Sequence, residues 1–252
     1  MDFLGGTYAG VRKASKRATT AQALEVRLST DVARMPAVTP LTTFLFDLDG
    51  TLLDSVRLIL DSYHYTTERH GLPRRTDAEW LAGLGTPLRV QFADSVRPDL
   101  SMEQLVATYR EFNLANHDTM ATPYPGVVDV VRRIGATGIR FGLVTSKNRP
   151  GPERGLKLMG LAREFEVIIG ADEVVHPKPH AEPVLKALEL MKVSREEAVF
   201  IGDSVHDMES GRAAGVRTAA VLWGPFTRSE LEETKPDYWL ERPEQLLELA
   251  GG

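Results

Sequence analysis

The second half of the chain shows a regular alternation of two hydrophobic patterns. From Pro125 onward, short continuous apolar runs alternate with segments in which apolar residues recur every three or four positions. The first pattern predicts buried strands and the second predicts helices, and their alternation is typical of βαβ units in a parallel sheet. Predicted strands are Ile139–Val144, Val167–Ile169, Ala198–Ile201 and Thr218–Leu222, and predicted helices are Val127–Ala136, Gly151–Met159, Pro183–Met191, Ser210–Ala214 and Glu244–Leu249.

The segment before Pro125 has a different pattern. An apolar, aromatic and β-branched run over Thr42–Phe46 predicts a central strand that is covered on both faces. From Ser55 to about Pro125 the spacing is helical and no strand is convincing, so we expect an all-helical insert after the first strand. The loop Gly83–Pro87 inside this insert is either a connector between helices or a lip over a site.

Residues 1 to 40 form a mildly basic segment with weak patterning. Such a composition is also found in transit peptides, but the apolar region that a signal peptide needs is missing. We expect residues 1–40 to be a dispensable extension, and Met35, just before the first strand, is a candidate start of the functional protein.

Composition narrows the classes of function. Hydrophobic residues make up 42% and charged residues 26% of the 252 residues, which is ordinary for a soluble globular protein. The net charge of −5 argues against nucleic-acid binding, and the absence of cysteine excludes disulfides, thiol catalysis and cysteine-ligated zinc. No apolar run approaches the length of a membrane span. We therefore expect a cytoplasmic protein without a membrane or nucleic-acid partner.

Two carboxylates follow the first predicted strand. Asp47 and Asp49 are separated by one residue, so in an extended segment their side chains point the same way and hold like charges close together. A bound cation would relieve this repulsion. Gly50 then permits a sharp turn, and Thr51 offers a hydroxyl and a backbone N–H. The arrangement fits a Mg²⁺ site with a carboxylate nucleophile; the alternative is a strand that ends in an Asx turn.

Three further polar groups follow later strands, where ligands of a doubly wound sheet bind. Thr145 offers donors to an anionic oxygen, although a helix N-cap is the alternative. Lys178 stands between two prolines that restrict the backbone, although an ordinary solvated lysine would look the same. Asp203 ends a buried strand and can reach a cation or cap a helix, and Asp207 can support the site from behind.

The string F-x-F-D-x-D-G-T-L-x-D-S over residues 44–55 closely resembles the first motif of the haloacid dehalogenase superfamily. With the Thr, the Lys and the Gly-Asp-x₃-Asp that follow in order, all four motifs of that superfamily are matched over residues 41 to 250. The resemblance implies an α/β fold: a doubly wound parallel-sheet (Rossmann-like) core from residues 41–55 and 125–252, with a helical cap domain inserted at residues 56–124.

The resemblance also implies a role for each matching residue. Asp47 would be the nucleophile that forms an aspartyl-phosphate, and Asp49 the acid and base. Thr145 and Lys178 would hold the phosphoryl oxygens. Mg²⁺ would be bound by Asp47, Asp49 and Asp203, with support from Asp207. Further candidates for phosphate or substrate binding are Gly50, Thr51, Ser146, Lys147 and, in the insert, Arg89.

The position of the insert is similar to the small helical cap of phosphoglycolate phosphatases and related bacterial pyrophosphatases. The resemblance thus implies a phosphatase for a small phosphorylated substrate, pyrophosphate or 2-phosphoglycolate, acting as a monomer or homodimer. The alternatives are a sugar-phosphate phosphatase or a β-phosphoglucomutase-like phosphotransferase. A receiver-like phosphorylated switch is the non-enzyme alternative, but it predicts a shorter chain and no helical insert.

Overall fold

The computed structural model describes residues 39–251 of the chain. Its main sheet has six strands in the order β5-β4-β1-β6-β7-β8, and every pairing within it is parallel. A second sheet has two short antiparallel strands, β2 and β3. The strands are β1 Thr43–Phe46, β2 Leu53–Asp54, β3 Thr122–Pro123, β4 Arg140–Val144, β5 Phe165–Ile169, β6 Ala198–Gly202, β7 Arg217–Val221 and β8 Tyr238–Leu240.

Helices cover both faces of the main sheet. Apolar residues of α5, α6 and α10 join the core on one face, and those of α7 and α8 join the core on the other. No helix between residues 39 and 251 is long and apolar enough to cross a membrane. The helices are α1 Val56–Arg69, α2 Asp77–Leu81, α3 Leu88–Gln91, α4 Met102–Met120, α5 Val127–Gly135, α6 Pro150–Leu158, α7 Glu182–Met191, α8 Val205–Ala214, α9 Arg228–Leu231 and α10 Leu246–Ala250.

Strand β1 lies in the middle of the sheet, between β4 and β6. All its residues are buried: Phe44 and Phe46 pack into the core on one face, and Leu45 packs into the core on the other. The alternation follows from the two-residue period of a strand. This sheet with helices on both faces confirms the predicted doubly wound α/β fold.

The residues between β2 and β3 are helical and have an apolar cluster of their own. Tyr63 of α1 stacks on Trp80 of α2 with ring centroids 4.4 Å apart, and Phe92 meets both rings edge-on. Strands β2 and β3 pair Leu53 with Pro123, so the chain enters and leaves this helical segment at the same place. The assignment of residues 56–124 as a separate cap domain stays a prediction.

Some elements differ from the sequence-based predictions. Strand β3 lies in a stretch where no strand is expected; it is two residues long and forms only because β2 lies beside it. Strand β8 and helix α9 are not anticipated either, because both are too short to show a period. Helix α8 begins at Val205 instead of Ser210, since Ser204 caps it. Met35 and most of the predicted extension lie outside the described residues, which include only residues 39 and 40 of that extension.

We predict that Gly142→Ala lowers the stability of the protein. An added Cβ would lie 2.7 Å from Leu45 Cδ2 and 3.0 Å from Met191 Sδ, both buried. Overpacking of this kind costs about 1–3 kcal/mol. Thermal unfolding would show a Tm several degrees lower. Gly151→Ala is the matched control, because the new Cβ would meet no atom closer than 3.4 Å; an equal effect of both substitutions would contradict the packing argument.

Candidate active site

Three polar residues follow neighbouring strands and so lie at one edge of the sheet. Asp47 follows β1, Thr145 follows β4, and Asp203 follows β6. The sheet hydrogen bonds continue into the site: Asp47 N–H donates to the Ile201 carbonyl at 2.9 Å, and Thr145 N–H donates to the Ile169 carbonyl at 3.0 Å. The backbone of Asp47 and Thr145 is therefore held by hydrogen bonds of the sheet.

A buried cluster of charges lies at this edge. Carboxylate oxygens of Asp47, Asp203 and Asp207 all come within 4.8 Å of one another. The ammonium of Lys178 is only 2% exposed and lies 2.9 Å from Asp47 Oδ1 and 2.6 Å from Asp207 Oδ1. The structure thus brings together three distant parts of the sequence, those that hold Asp47, Lys178 and the pair Asp203 and Asp207. These residues come from the loops after β1 and β6, from helix α8 and from the loop before α7.

The electrostatics of the cluster are unbalanced. Burial raises the pKa of Asp47 to about 7; Lys178 opposes this rise, and Asp207 and Asp49 add to it. Burial, reinforced by Asp207 and Asp47, also raises the pKa of Asp203 well above its ordinary value. For Lys178 burial lowers the pKa, but the attraction of Asp207 and Asp47 outweighs it and the net shift is upward. One ammonium among three buried carboxylates leaves excess negative charge.

The donor set fits a hard divalent cation. Oxygen ligands, mostly carboxylates, are what Mg²⁺ and Ca²⁺ prefer. Asp203 is held in place by Thr51, whose hydroxyl donates to Asp203 Oδ1 at 2.9 Å. Gly50, in the left-handed region with φ +84°, passes so close that a Cβ there would lie 2.4 Å from Asp203 Oδ2. The backbone therefore passes close to this carboxylate, and a larger residue at position 50 would be strained by its φ and would displace Asp203.

Asp207 supports the cluster from one side. Its Oδ1 accepts from Lys178, and its Oδ2 accepts from the backbone N–H and the hydroxyl of Ser204 at 3.0 and 2.6 Å. Both oxygens thus have partners within the chain. The supporting role of Asp207 behind a metal site stays a prediction.

Asp49 lies apart from the buried cluster. Its Oδ1 accepts from the Ser55 hydroxyl and from Lys147 Nζ, the latter at 2.6 Å. Asp49 and Asp47 both line a cavity of about 660 Å³, so the two carboxylates face the same space. Two neighbouring carboxylates in different surroundings, one buried beside Lys178 and one held by Ser55 and Lys147, can take different chemical roles.

The cavity is walled by both the sheet edge and the helical segment. Thr145, Ser146 and Lys147 line it on the sheet side. The loop Gly83–Pro87 lies over it, and the Ser146 hydroxyl donates to the Gly85 carbonyl at 2.5 Å. Residues of α1 and α4 complete the wall and are mostly apolar or aromatic: Ile59, Tyr63, Val106, Tyr109, Arg110, Asn113 and Leu114.

Several predicted binding residues are engaged inside the protein. Lys178 lies behind Asp47, outside the cavity wall. The backbone N–H groups of Gly50 and Thr51 donate to the carbonyls of Leu53 and Leu48. Arg89 does line the cavity, but both its terminal nitrogens donate to Glu103 at 3.0 Å. The phosphate-binding roles of these residues stay predictions.

The cavity-facing residues of α4 are absent from the sequence-based site. Val106, Arg110 and Leu114 are spaced four residues apart and share one face of the helix. This spacing is visible in the sequence, but the pattern alone does not tell which face of α4 meets a cavity. Only the packing of α4 against α1 decides it.

We predict that Lys178→Met lowers the free energy of unfolding by about 3–5 kcal/mol, because it leaves buried carboxylates without their cation. Chemical denaturation would measure the loss. The double variant Lys178→Met/Asp207→Asn removes one of the stranded charges and should regain part of the stability. Lys157→Met, on an exposed position of α6, is the control. Ordinary substitutions cost about 1 kcal/mol. A free energy of unfolding of Lys178→Met within about 1 kcal/mol of the wild-type value would therefore contradict the expected role of the ion pairs.

The comparisons with known proteins agree with this geometry. The family model described as haloacid dehalogenase-like hydrolase matches residues 44–221. The pyrophosphatase PpaX of Anoxybacillus flavithermus is 38% identical over 211 residues, which are 84% of this chain and 97% of that protein.

Solved structures show the same fold. A haloacid dehalogenase-like hydrolase of Bacteroides fragilis is 29% identical, with a TM-score of 0.76 over 82% of this chain and 99% of that protein. A protein of Lactobacillus plantarum described as a phosphoglycolate phosphatase is 25% identical, with a TM-score of 0.74 over 84% of this chain and 100% of that protein. The chain therefore belongs to the haloacid dehalogenase-like hydrolase family and is an enzyme of the phosphatase type.

Proposed function

We propose that the chain is a Mg²⁺-dependent phosphatase that hydrolyses a small phosphate compound through an aspartyl-phosphate on Asp47. The observation that carries the proposal is the position of Asp47. It follows the central strand, lines the cavity and lies 2.9 Å from a buried ammonium, that of Lys178. A carboxylate fixed in this way can attack a phosphorus atom that enters from the cavity.

In the first step an Asp47 oxygen forms a bond to phosphorus while the bond to the leaving oxygen breaks. Asp49, which faces the same cavity, donates a proton to that leaving oxygen. In the second step Asp49 accepts a proton from water, the water oxygen attacks phosphorus, and the bond to Asp47 breaks. Phosphate is released and both carboxylates return to their starting states.

The surrounding residues would lower the charge repulsion of this attack. Lys178 balances the charge of Asp47 from behind, while Thr145, Ser146 and Lys147 line the cavity where the phosphoryl oxygens would lie. Asp47 and Asp203, with the backbone carbonyl of Asp49, would hold Mg²⁺. When bound, the ion supplies positive charge that stabilises the negatively charged transition state. The loop Gly83–Pro87 would help to exclude water.

Pyrophosphate and 2-phosphoglycolate are the first candidate substrates. The PpaX relative is named a pyrophosphatase and the Lactobacillus plantarum protein a phosphoglycolate phosphatase. The cavity of about 660 Å³ is of the size that holds an organic ligand, so it favours sugar phosphates as a second candidate class. A phosphate-release screen across pyrophosphate, 2-phosphoglycolate and hexose phosphates would decide among them.

We expect Asp47→Asn to lose nearly all turnover while it keeps the fold. The amide is almost the same size but cannot act as the nucleophile. Phosphate release in the presence of Mg²⁺ would measure turnover, and circular dichroism would check the fold. Retention of more than about a tenth of the wild-type rate would overturn the assignment of Asp47, because a tenfold loss is too small for removal of the nucleophile.

Mg²⁺ binding is testable without turnover. At ten times its Kd, a bound ion stabilises the folded protein by about 1.4 kcal/mol, so Mg²⁺ should raise the Tm of the wild type by several degrees. Asp203→Asn should abolish this shift. The metal-free variant should be at least as stable as the metal-free wild type, because one of three clustered carboxylates is gone. An unchanged Mg²⁺ shift in the variant would remove Asp203 from the metal site.

A further inference from the structure

We infer that Arg110 of helix α4 is a substrate-binding residue that selects phosphate compounds with a second anionic group on the leaving side. The inference rests on the proposed function. It concerns the part of the substrate beyond the phosphoryl group, for which Arg89 is the binding candidate that the sequence offers in the insert. The structure favours Arg110 because of its place on the cavity wall and its lack of a charged partner.

The helical geometry directs Arg110 toward the cavity. Val106 lies four residues before it and Leu114 four residues after it, and all three line the cavity. Residues four apart lie above one another on a helix, so Arg110 is in the middle of the cavity-facing stripe of α4. The stripe is otherwise apolar at these spacings. The guanidinium of Arg110 is therefore the charged group in the part of the cavity wall that α4 forms.

The other cations around the cavity are already paired. Arg89 donates to Glu103 through both terminal nitrogens, and Lys147 donates to Asp49 at 2.6 Å. Lys178 is buried against Asp47 and Asp207 behind the wall. Each of these charges is thus compensated within the chain, and a ligand would have to compete with a carboxylate for it.

Arg110 has no such partner among residues 39–251. It takes part in none of the ion pairs or side-chain hydrogen bonds of that part of the chain. The residues three and four positions away on its own helix carry no acidic group. Asp172 also lines the cavity, and its Oδ1 accepts the backbone N–H of Arg149 at 3.0 Å. The guanidinium of Arg110 is therefore available to an anion in the cavity.

The chemistry of a guanidinium defines the substrate class. Its N–H groups form a planar fork that matches the two oxygens of a carboxylate or a phosphate. Pyrophosphate presents a second phosphate there, and 2-phosphoglycolate presents a carboxylate. A phosphate ester with an uncharged leaving group would gain nothing from Arg110. Recognition of the second anion thus falls to the helical segment, while the sheet edge handles the phosphoryl group.

The test compares kcat/KM for substrates with and without a second anion. We expect Arg110→Gln to lose about tenfold or more with pyrophosphate or 2-phosphoglycolate, whichever the wild type hydrolyses better, because hydrogen bonds to charged groups are worth this much. With p-nitrophenyl phosphate the loss should stay below about threefold, the scale of an ordinary surface change. Arg110→Lys keeps the charge without the fork and should fall between.

Arg69→Gln is the matched control, because Arg69 is an exposed arginine of α1 outside the cavity wall and its loss changes the net charge equally. It should leave the substrate ratio unchanged. Equal losses of Arg110→Gln on all substrates, or none, would overturn the inference while the phosphatase function stands. A wild type that hydrolyses only esters with uncharged leaving groups would also overturn it. A wild type that hydrolyses no phosphate compound would overturn the proposed function as well.

Discussion

The buried ammonium of Lys178 is the interaction on which the active-site edge of the sheet depends. It lies between Asp47 and Asp207, which are 160 positions apart in the sequence, and forms a buried ion pair with each of them. Burying such charges seldom increases stability compared with an apolar core, so stability alone does not explain this arrangement. The proposed role of Asp47 does explain it, because a nearby fixed cation favours the charged form of an enclosed carboxylate and holds it in place.

Positively and negatively charged side chains alternate from Lys178 toward the cavity. Lys178 lies behind Asp47, and the neighbouring carboxylates favour a metal cation. Beyond them lie Lys147 on the sheet side and Arg110 on the helical side of the cavity. A phosphate compound placed in the cavity would meet positive charge at both ends. Its affinity for the site would accordingly be sensitive to ionic strength, most of all at the exposed Arg110.

The sequence predicts most of the core because its signals are local. The strand ends at Asp47, Thr145 and Asp203 follow from short apolar runs and from the rule that parallel strands point the same way. Contacts within the site, such as that between Lys178 and Asp207, are not local and need the packed structure. Which face of α4 meets the cavity, and therefore the placement of Arg110, likewise needs the packed structure. Strands β3 and β8 were beyond prediction because two or three residues show no period.

The pairing of β2 with β3 has a consequence for how such an enzyme can change. Because Leu53 and Pro123 are neighbours in one ladder, the whole helical segment leaves the core and returns to it across a gap of one strand spacing. The helical segment is therefore a loop whose two ends are held together by the core. The entropic cost of closing such a loop grows only slowly with its length. Shorter or longer segments can be exchanged at this junction without disturbing β1 and the Asp47 that follows it, so the wall of the cavity can change while the sheet edge stays the same.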